Sequence, residues 1–130
     1  MTIYSDLSDA DLLQRVRGLM GYEVDSNENE DGVPPFGYWL MKNGNEVPNS
    51  FGTKAEAWQR APDYLNDANA WMRLVDEIRL LDMQVTITVD DRQSSAMAET
   101  RYAEFASAIS SPKNPGRAIC EVFCQVMEQK

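Results

Sequence analysis

The sequence predicts a single α+β domain over residues 1–130, in the order α-β-β-α-β-β-α, with an antiparallel sheet covered by helices. Apolar residues recur at helical spacing near the start, the middle and the end of the chain. Short alternations of apolar and polar residues, typical of strands, lie between these segments. The length of 130 residues suits one domain with a modest core.

The stretch from Asp63 to Val89 carries the clearest pattern, a helix followed by a turn and a strand. Asn66 or Asp67 is the expected helix cap, because a short side-chain oxygen can accept a first-turn N–H. Trp71 is the expected buried anchor, and Leu74 lies at the edge of the apolar stripe. The other members of the stripe are Ala68, Met72, Val75, Ile78 and Leu81. The strand follows from alternation of Val85, Ile87 and Val89 with Gln84, Thr86 and Thr88.

The two outer helices have recognisable ends. Ser8 is the expected cap of the first helix and Gly21 its stop. Asn114 is the expected cap of the last helix, with Pro115 at the first helical position, where the missing N–H costs nothing. This helix is expected to run to about Met127. Its predicted buried stripe consists of Ala118, Ile119, Val122, Phe123 and Val126.

The segment between the first two helices combines an acidic loop and a hairpin. Residues 23–35 are predicted to form a mobile acidic loop. Part of it matches a calcium loop, but the required bidentate glutamate would fall at Tyr38, so no calcium site is expected. Residues 36–42 are predicted as a strand, and Asn43-Gly44 is typical of a tight hairpin turn into residues 45–47. Residues 53–58 form either a short helical turn or a connection, with Trp58 as a core side chain.

Beyond the central strand the pattern is weaker. Residues 92–97 are predicted as a turn or loop. Residues 100–106 are predicted as a strand that pairs antiparallel with residues 83–89, although their weak periodicity also permits a helix. Residues 110–115 are predicted as a loop.

The charge and the missing residue types exclude several functions. The formal net charge is −9, and residues 1–34 contain eight acidic and two basic side chains, which disfavours direct binding to nucleic acid. There is no histidine, and no phosphate-binding glycine loop occurs, so no enzymatic activity, cofactor or metal is expected. Cys120 and Cys124, four residues apart on a helix, are expected to be buried thiols. The N-terminus lacks the features of a signal peptide and no long apolar run occurs, which favours the cytoplasm and no membrane.

Several segments resemble one family of small phage-encoded proteins. They are residues 5–22, SDLSDADLLQRVRGLMGY; residues 61–89, from APDYLNDANAW to MQVTITV; residues 101–106, RYAEFA; and residues 114–128, NPGRAICEVFCQVME. This pattern resembles the phage ABA-sandwich domain, with NinX-like proteins as near relations, at Pro62, Asp63, Ala70, Trp71, Ala118, Ile119 and Cys120. The resemblance implies a phage or prophage accessory protein in a bacterial cytoplasm. It implies no catalytic residues.

The leading functional hypothesis is a non-enzymatic protein that binds and inhibits a host protein, for example a defence factor with a basic surface. The expected partner-binding residues are Asp9, Asp11, Asp25, Glu28, Glu30, Asp31, Tyr38 and Trp39. A first alternative is a nucleotide-signal binder that uses Tyr38, Trp39 or Trp58 for stacking and Lys42, Lys54 or Arg60 for phosphate. A second alternative is a structural or regulatory phage component. The sequence leaves a homo-oligomer open.

Overall fold

A computed structural model describes residues 3–26, 37–47, 52–110 and 114–129. After a short 3-10 helix at Tyr4–Asp6, its elements in chain order are α1 (Asp9–Leu19), β1 (Tyr22–Ser26), β2 (Tyr38–Lys42), β3 (Asn45–Glu46), α2 (Lys54–Trp58), α3 (Ala68–Arg79), β4 (Gln84–Val89), β5 (Ser94–Glu99), β6 (Glu104–Ser110) and α4 (Pro115–Gln129). The α+β class and the antiparallel pairing are confirmed. In the described residues, however, six strands form two three-stranded sheets, where four strands and one sheet are predicted.

The chain divides into two compact units. Unit 1 comprises Met1–Val16 and Asp63–Lys130, and unit 2 comprises Arg17–Pro62. The prediction of one domain over residues 1–130 stays a prediction. No described helix is both long and apolar enough to cross a membrane.

The sheet of unit 1 has the order β4-β5-β6, with antiparallel neighbours. The predicted strand at residues 84–89 is confirmed as β4. The loop predicted at residues 92–97 is wrong, because residues 94–97 belong to β5, and it is β5 that pairs with β4. The strand predicted at residues 100–106 starts later, at Glu104, after a turn closed by the Thr100 N–H donating to the Ala103 carbonyl at 2.9 Å. This strand, β6, pairs with β5 and not with β4. The loop predicted at residues 110–115 begins after Ser110, and residues 111–113 lie outside the described part.

Small side chains explain why β5 and β6 were hard to recognise. The inner positions of both strands are buried alanines, namely Ala96, Ala98, Ala106 and Ala108. They face α4, which packs against both strands, and a small side chain allows a helix to approach a sheet closely. Alanine lacks the β-branched or aromatic character by which strands are recognised, so the strand signal is weak where the packing is tight.

Helix α4 is the centre of the core of unit 1. Its predicted cap is confirmed, since Asn114 Oδ1 accepts the Arg117 N–H at 3.0 Å, and its predicted apolar stripe is fully buried. Glu121, Cys120 and Cys124 are buried as well. The helix contacts the sheet on one side and α3 on the other, which is why almost its whole circumference is covered.

The face that helix α3 presents to the core matches the prediction in part, since Val75 and Ile78 of the predicted stripe are buried. Asp67 caps it through Oδ1, which accepts the Asn69 N–H at 3.0 Å, as one of the two predicted alternatives. The buried residues of this helix are Ala70, Leu74, Val75 and Ile78. Ala68 and Met72 are exposed, and Trp71 and Leu81 are only partly buried. The stripe therefore centres on Leu74, and Trp71 is not the fully buried anchor that was predicted.

The N-terminal segment of unit 1 is held to α4 by polar contacts. Ser8 Oγ accepts the Asp11 N–H at 3.1 Å, which confirms the predicted cap of α1. The Tyr4 hydroxyl donates a hydrogen bond to Glu128 Oε2 at 2.8 Å, and Glu128 also forms an ion pair with Arg15. The Arg15 contact is the main cause that lowers the pKa of Glu128, whereas burial and the Glu128 contact raise the pKa of Tyr4 to about 12.

Unit 2 contains the sheet of order β1-β2-β3, with α2 packed against β1 and β2. The predicted acidic loop is wrong over residues 23–26, which form β1; residues 27–35 lie outside the described part. The hairpin turn is confirmed, with φ of 53° at Asn43 and 83° at Gly44. Residues 54–58 are helical, but Ala57 is the buried residue of α2 and Trp58 is only partly buried.

The two cysteines are free, fully buried thiols, as the sequence predicted. Burial is the main cause that raises the pKa of Cys120 and raises that of Cys124 to about 12. Because the thiolate is the reactive form, we expect almost no labelling by a thiol reagent at neutral pH while the protein is folded. Two thiols per chain should react rapidly in denaturant. Stoichiometric labelling of the native protein, followed by absorbance, would contradict this burial.

Candidate functional site

The outer face of the unit 2 sheet combines acidic and apolar side chains. β1 and β2 pair so that Asp25 is opposite Trp39 and Glu23 is opposite Met41, and β2 and β3 place Glu46 opposite Met41 on the other side. Directly opposed residues of antiparallel strands project from the same face of the sheet. These five residues therefore share one face, which we call the acidic-apolar face.

The apolar residues lie at the centre of this face and the acids at its edges. Trp39 and Met41 are on the central strand and are partly exposed, while Glu23, Asp25 and Glu46 are exposed on the two flanking strands. Apolar side chains surrounded by polar ones are the usual arrangement of a protein-binding surface, and tryptophan is among the residues that contribute most to binding. Three carboxylates around them favour a partner with lysine or arginine side chains.

The opposite face of the same sheet packs inside unit 2. Leu40 is fully buried there, and Tyr22, Val24 and Tyr38 share its side of the sheet. This places Tyr38 away from Trp39, as expected for adjacent residues of a strand. Lys54 Nζ lies 5.9 Å from the centre of the Tyr38 ring. Tyr38 therefore belongs to the packed side of the sheet and not to the acidic-apolar face.

Two of the other predicted partner-binding residues, Asp9 and Asp11, belong to unit 1. Asp9 Oδ1 accepts a hydrogen bond from Arg117 at 2.5 Å within unit 1. Asp11 is exposed in the first turn of α1, where an acidic side chain stabilises the helix end. Glu28, Glu30 and Asp31 lie outside the described residues. Of the predicted residues that the structure describes, Asp25 and Trp39 belong to the acidic-apolar face.

Sequence reasoning missed three members of the face, Glu23, Met41 and Glu46. The signal for the first was present, because Tyr22 and Val24 alternate with Glu23 and Asp25 in the manner of a half-buried strand. The density of acids led to a loop prediction instead. Met41 and Glu46 were inside predicted strands, but only the register shows that they face each other.

Two of the three cations proposed for phosphate binding, Lys42 and Lys54, have close partners. Lys42 Nζ lies 4.4 Å from the centre of the Tyr22 ring and donates to the Met20 carbonyl. Lys54 lies over Tyr38 in the same manner. These contacts stabilise the packed side of unit 2, so they do not favour the nucleotide-binding alternative.

Unit 1 contains a cleft of about 480 Å³. It is lined by Ser5, Leu7, Ser8, Asp9, Ile109, Ser110, Asn114, Arg117 and Glu121. The Arg117 guanidinium donates to Asp9 and to the carbonyls of Leu7 at 2.7 Å and Tyr4 at 3.3 Å. Its donors are used to hold the N-terminal segment, and we therefore assign this arginine a stabilising role.

No family model matches the chain, and neither the curated proteins nor the solved structures include a match. Across the ranges that the structure describes, no group of three or more cysteine, aspartate or glutamate side chains is arranged to hold a metal ion.

Proposed function

We propose that this chain is a non-enzymatic, phage-encoded accessory protein that binds and inhibits a host protein through the acidic-apolar face. The observation that carries the proposal is the grouping of Trp39 and Met41 between three exposed carboxylates. The phage setting rests on the family resemblance of the sequence. The sequence has no histidine and no phosphate-binding loop, which agrees with a binding role. The bacterial cytoplasm as the setting rests on the same family resemblance.

The chemistry of the face defines the partner. Trp39 and Met41 would enter an apolar pocket of the partner, and the surrounding carboxylates would meet cationic side chains at its rim. Rim charges mainly increase the association rate and make it sensitive to salt. A host protein with an apolar pocket bordered by lysine or arginine fits both features.

The test begins with capture of partners from a bacterial lysate on the immobilised protein, followed by affinity measurement on the purified partner. We expect Trp39→Ala to weaken binding about 30-fold or more, because a buried tryptophan anchor contributes about 2 kcal/mol or more to an interface. The triple variant Glu23→Lys, Asp25→Lys, Glu46→Lys should slow association and reverse its salt dependence. A partner bound equally well by both variants would refute this face as the binding surface.

The matched control has the same change of charge at a different place. Asp6, Asp76 and Glu104 are exposed acids of unit 1, and their joint replacement by lysine should leave most of the affinity intact. Equal loss with the control and the triple variant would show that overall charge, and not the acidic-apolar face, drives binding.

A further inference from the structure

Strand β4 is an edge of the unit 1 sheet without the usual protection against pairing. Natural edge strands are blunted by charged residues, proline or bulges, and the six residues Gln84–Val89 contain none of these. The other edge strand, β6, begins with Glu104 and lies beside a register shift at Ala98 and Glu99. β4 is therefore the edge that is open to another strand.

The hairpin after β4 shows which backbone groups point outward. The Asp90 N–H donates to the Gln93 carbonyl at 3.0 Å, so this pair is a hydrogen-bonded pair of the ladder. Such pairs alternate along an antiparallel ladder. Thr88 and Thr86 consequently bond to β5, and the N–H and C=O groups of Val85, Ile87 and Val89 point away from it. No other described element of the chain pairs with this edge.

We propose that β4 pairs antiparallel with β4 of a second copy of this chain, about a two-fold axis at Ile87. In this register Ile87 is opposite Ile87 of the second copy, and Val85 is opposite Val89. Each outward residue offers one N–H and one C=O. The three residues of one copy and the three of the other therefore form about six hydrogen bonds in total. The two sheets become one continuous six-stranded sheet, with α4 of both copies on the same face.

The side chains match in this register. Val85, Ile87 and Val89 share the inner face of the sheet with the buried alanines, and each meets a valine or isoleucine of the second copy. Val89, which is 54% exposed, becomes covered by Val85. On the outer face Thr86 is opposite Thr88, and paired β-branched residues stabilise antiparallel strands.

Charge favours the same register. The chain carries a net charge of −9, which opposes self-association over most surfaces, but β4 is uncharged. The axis at Ile87 brings Asp82, just before one strand, toward Arg92, just after the other. An axis at Thr86 would instead bring Asp82 toward Asp90. It would pair the outward groups of Val85 and Ile87 only, with Val89 opposite Met83, which precedes the strand. Of these two registers, only the one centred on Ile87 brings opposite charges together.

Cross-linking tests the register directly. Thr86→Cys and Thr88→Cys each change one exposed outer-face residue, and opposed residues of a non-hydrogen-bonded pair are close enough for a disulfide. On mild oxidation, a mixture of the two single variants should give a covalent dimer on non-reducing electrophoresis. Either variant alone should give none. Cross-linking of Thr86→Cys alone, or none in the mixture, would overturn the Ile87-centred pairing.

Sedimentation velocity over a range of concentrations tests the assembly itself. The wild-type protein should sediment as a dimer in equilibrium with monomer. Arg92→Glu places a glutamate near Asp82 of the other copy at both ends of the paired strands, and should raise the dissociation constant of the dimer about five-fold. The control Arg73→Glu makes the same charge change at an exposed position of α3 and should leave the dissociation constant unchanged. A protein that is monomeric at every concentration would overturn self-pairing and leave a strand of another protein as the occupant. These results are independent of the acidic-apolar face, which lies in unit 2.

Discussion

Replacing Arg117 with methionine is expected to lower the free energy of unfolding by about 3–5 kcal/mol, the cost of leaving a buried charge without its partner. Arg117 Nε lies 3.7 Å from Glu121 Oε2. The side chains are 14% exposed for Arg117 and 4% exposed for Glu121. The same guanidinium donates to Asp9 and to the carbonyls of Leu7 and Tyr4. Urea denaturation followed by circular dichroism measures the loss.

The pH dependence of this loss identifies its cause. Burial is the main cause that raises the pKa of Glu121, and Arg117 opposes that rise. Without Arg117 the pKa rises further, so the folded state holds the proton more strongly than the unfolded state does. The Glu121 part of the loss is then largest at neutral pH and disappears below the ordinary carboxyl pKa. The second substitution Glu121→Gln should recover that part at neutral pH.

Two control substitutions separate the effect of the guanidinium group on stability from the effects of side-chain size and charge. Arg117→Lys should restore only a fraction of the stability, because one ammonium cannot reach Asp9 and the backbone carbonyls in the way a planar fork does. Arg79→Met, an exposed change on α3, should alter the stability by about 0.5 kcal/mol or less. If Arg117→Met were as mild as Arg79→Met, the N-terminal segment would not depend on this side chain.

Gly116→Ala is expected to destabilise the protein by about 1–3 kcal/mol or more, although alanine is the better helix former. A Cβ at Gly116 would lie 2.1 Å from the Leu65 carbonyl oxygen and 2.9 Å from Trp71 Cδ1. The oxygen belongs to the backbone, so it cannot yield by a change of rotamer. The start of α4 would have to move away from Leu65. Thermal or urea denaturation measures the effect.

Gly18→Ala is the matched control within another helix. Gly18 is exposed in α1, and a Cβ there would meet nothing within 4 Å. Helix propensity alone then applies, and we expect a gain of up to about 1 kcal/mol. Opposite signs for the two glycines would confirm the close approach at Gly116. A gain at both positions would contradict it.

The sequence by itself determined the elements whose signals are local. The cap at Asn114, the turn at Asn43-Gly44 and the alternation of β4 are each encoded within a few neighbouring residues, and each is confirmed. The α+β class follows from the succession of such elements. The sequence also located Asp25 and Trp39, because acidic and aromatic residues are conspicuous in composition.

Elements whose stability comes from distant partners were not predicted. β5 consists of serine, alanine and methionine with one glutamate, and its alanines are favourable only because α4 covers them. The same holds for the stripe of α3, which centres on Leu74 because of where α4 lies. Local patterns cannot specify which face of a helix meets a helix that is distant in the sequence.

Only the tertiary structure decided which residues form the candidate surfaces. Asp9 was grouped with the other acids by composition, yet the fold places it beside Arg117. Glu23 and Glu46 join the face through strand register with Met41, across 18 residues of chain for Glu23 and five for Glu46. The free edge of β4 likewise exists because β5 occupies one side only. The sequence thus determined the chemistry of the side chains, and long-range pairing determined which of them act together.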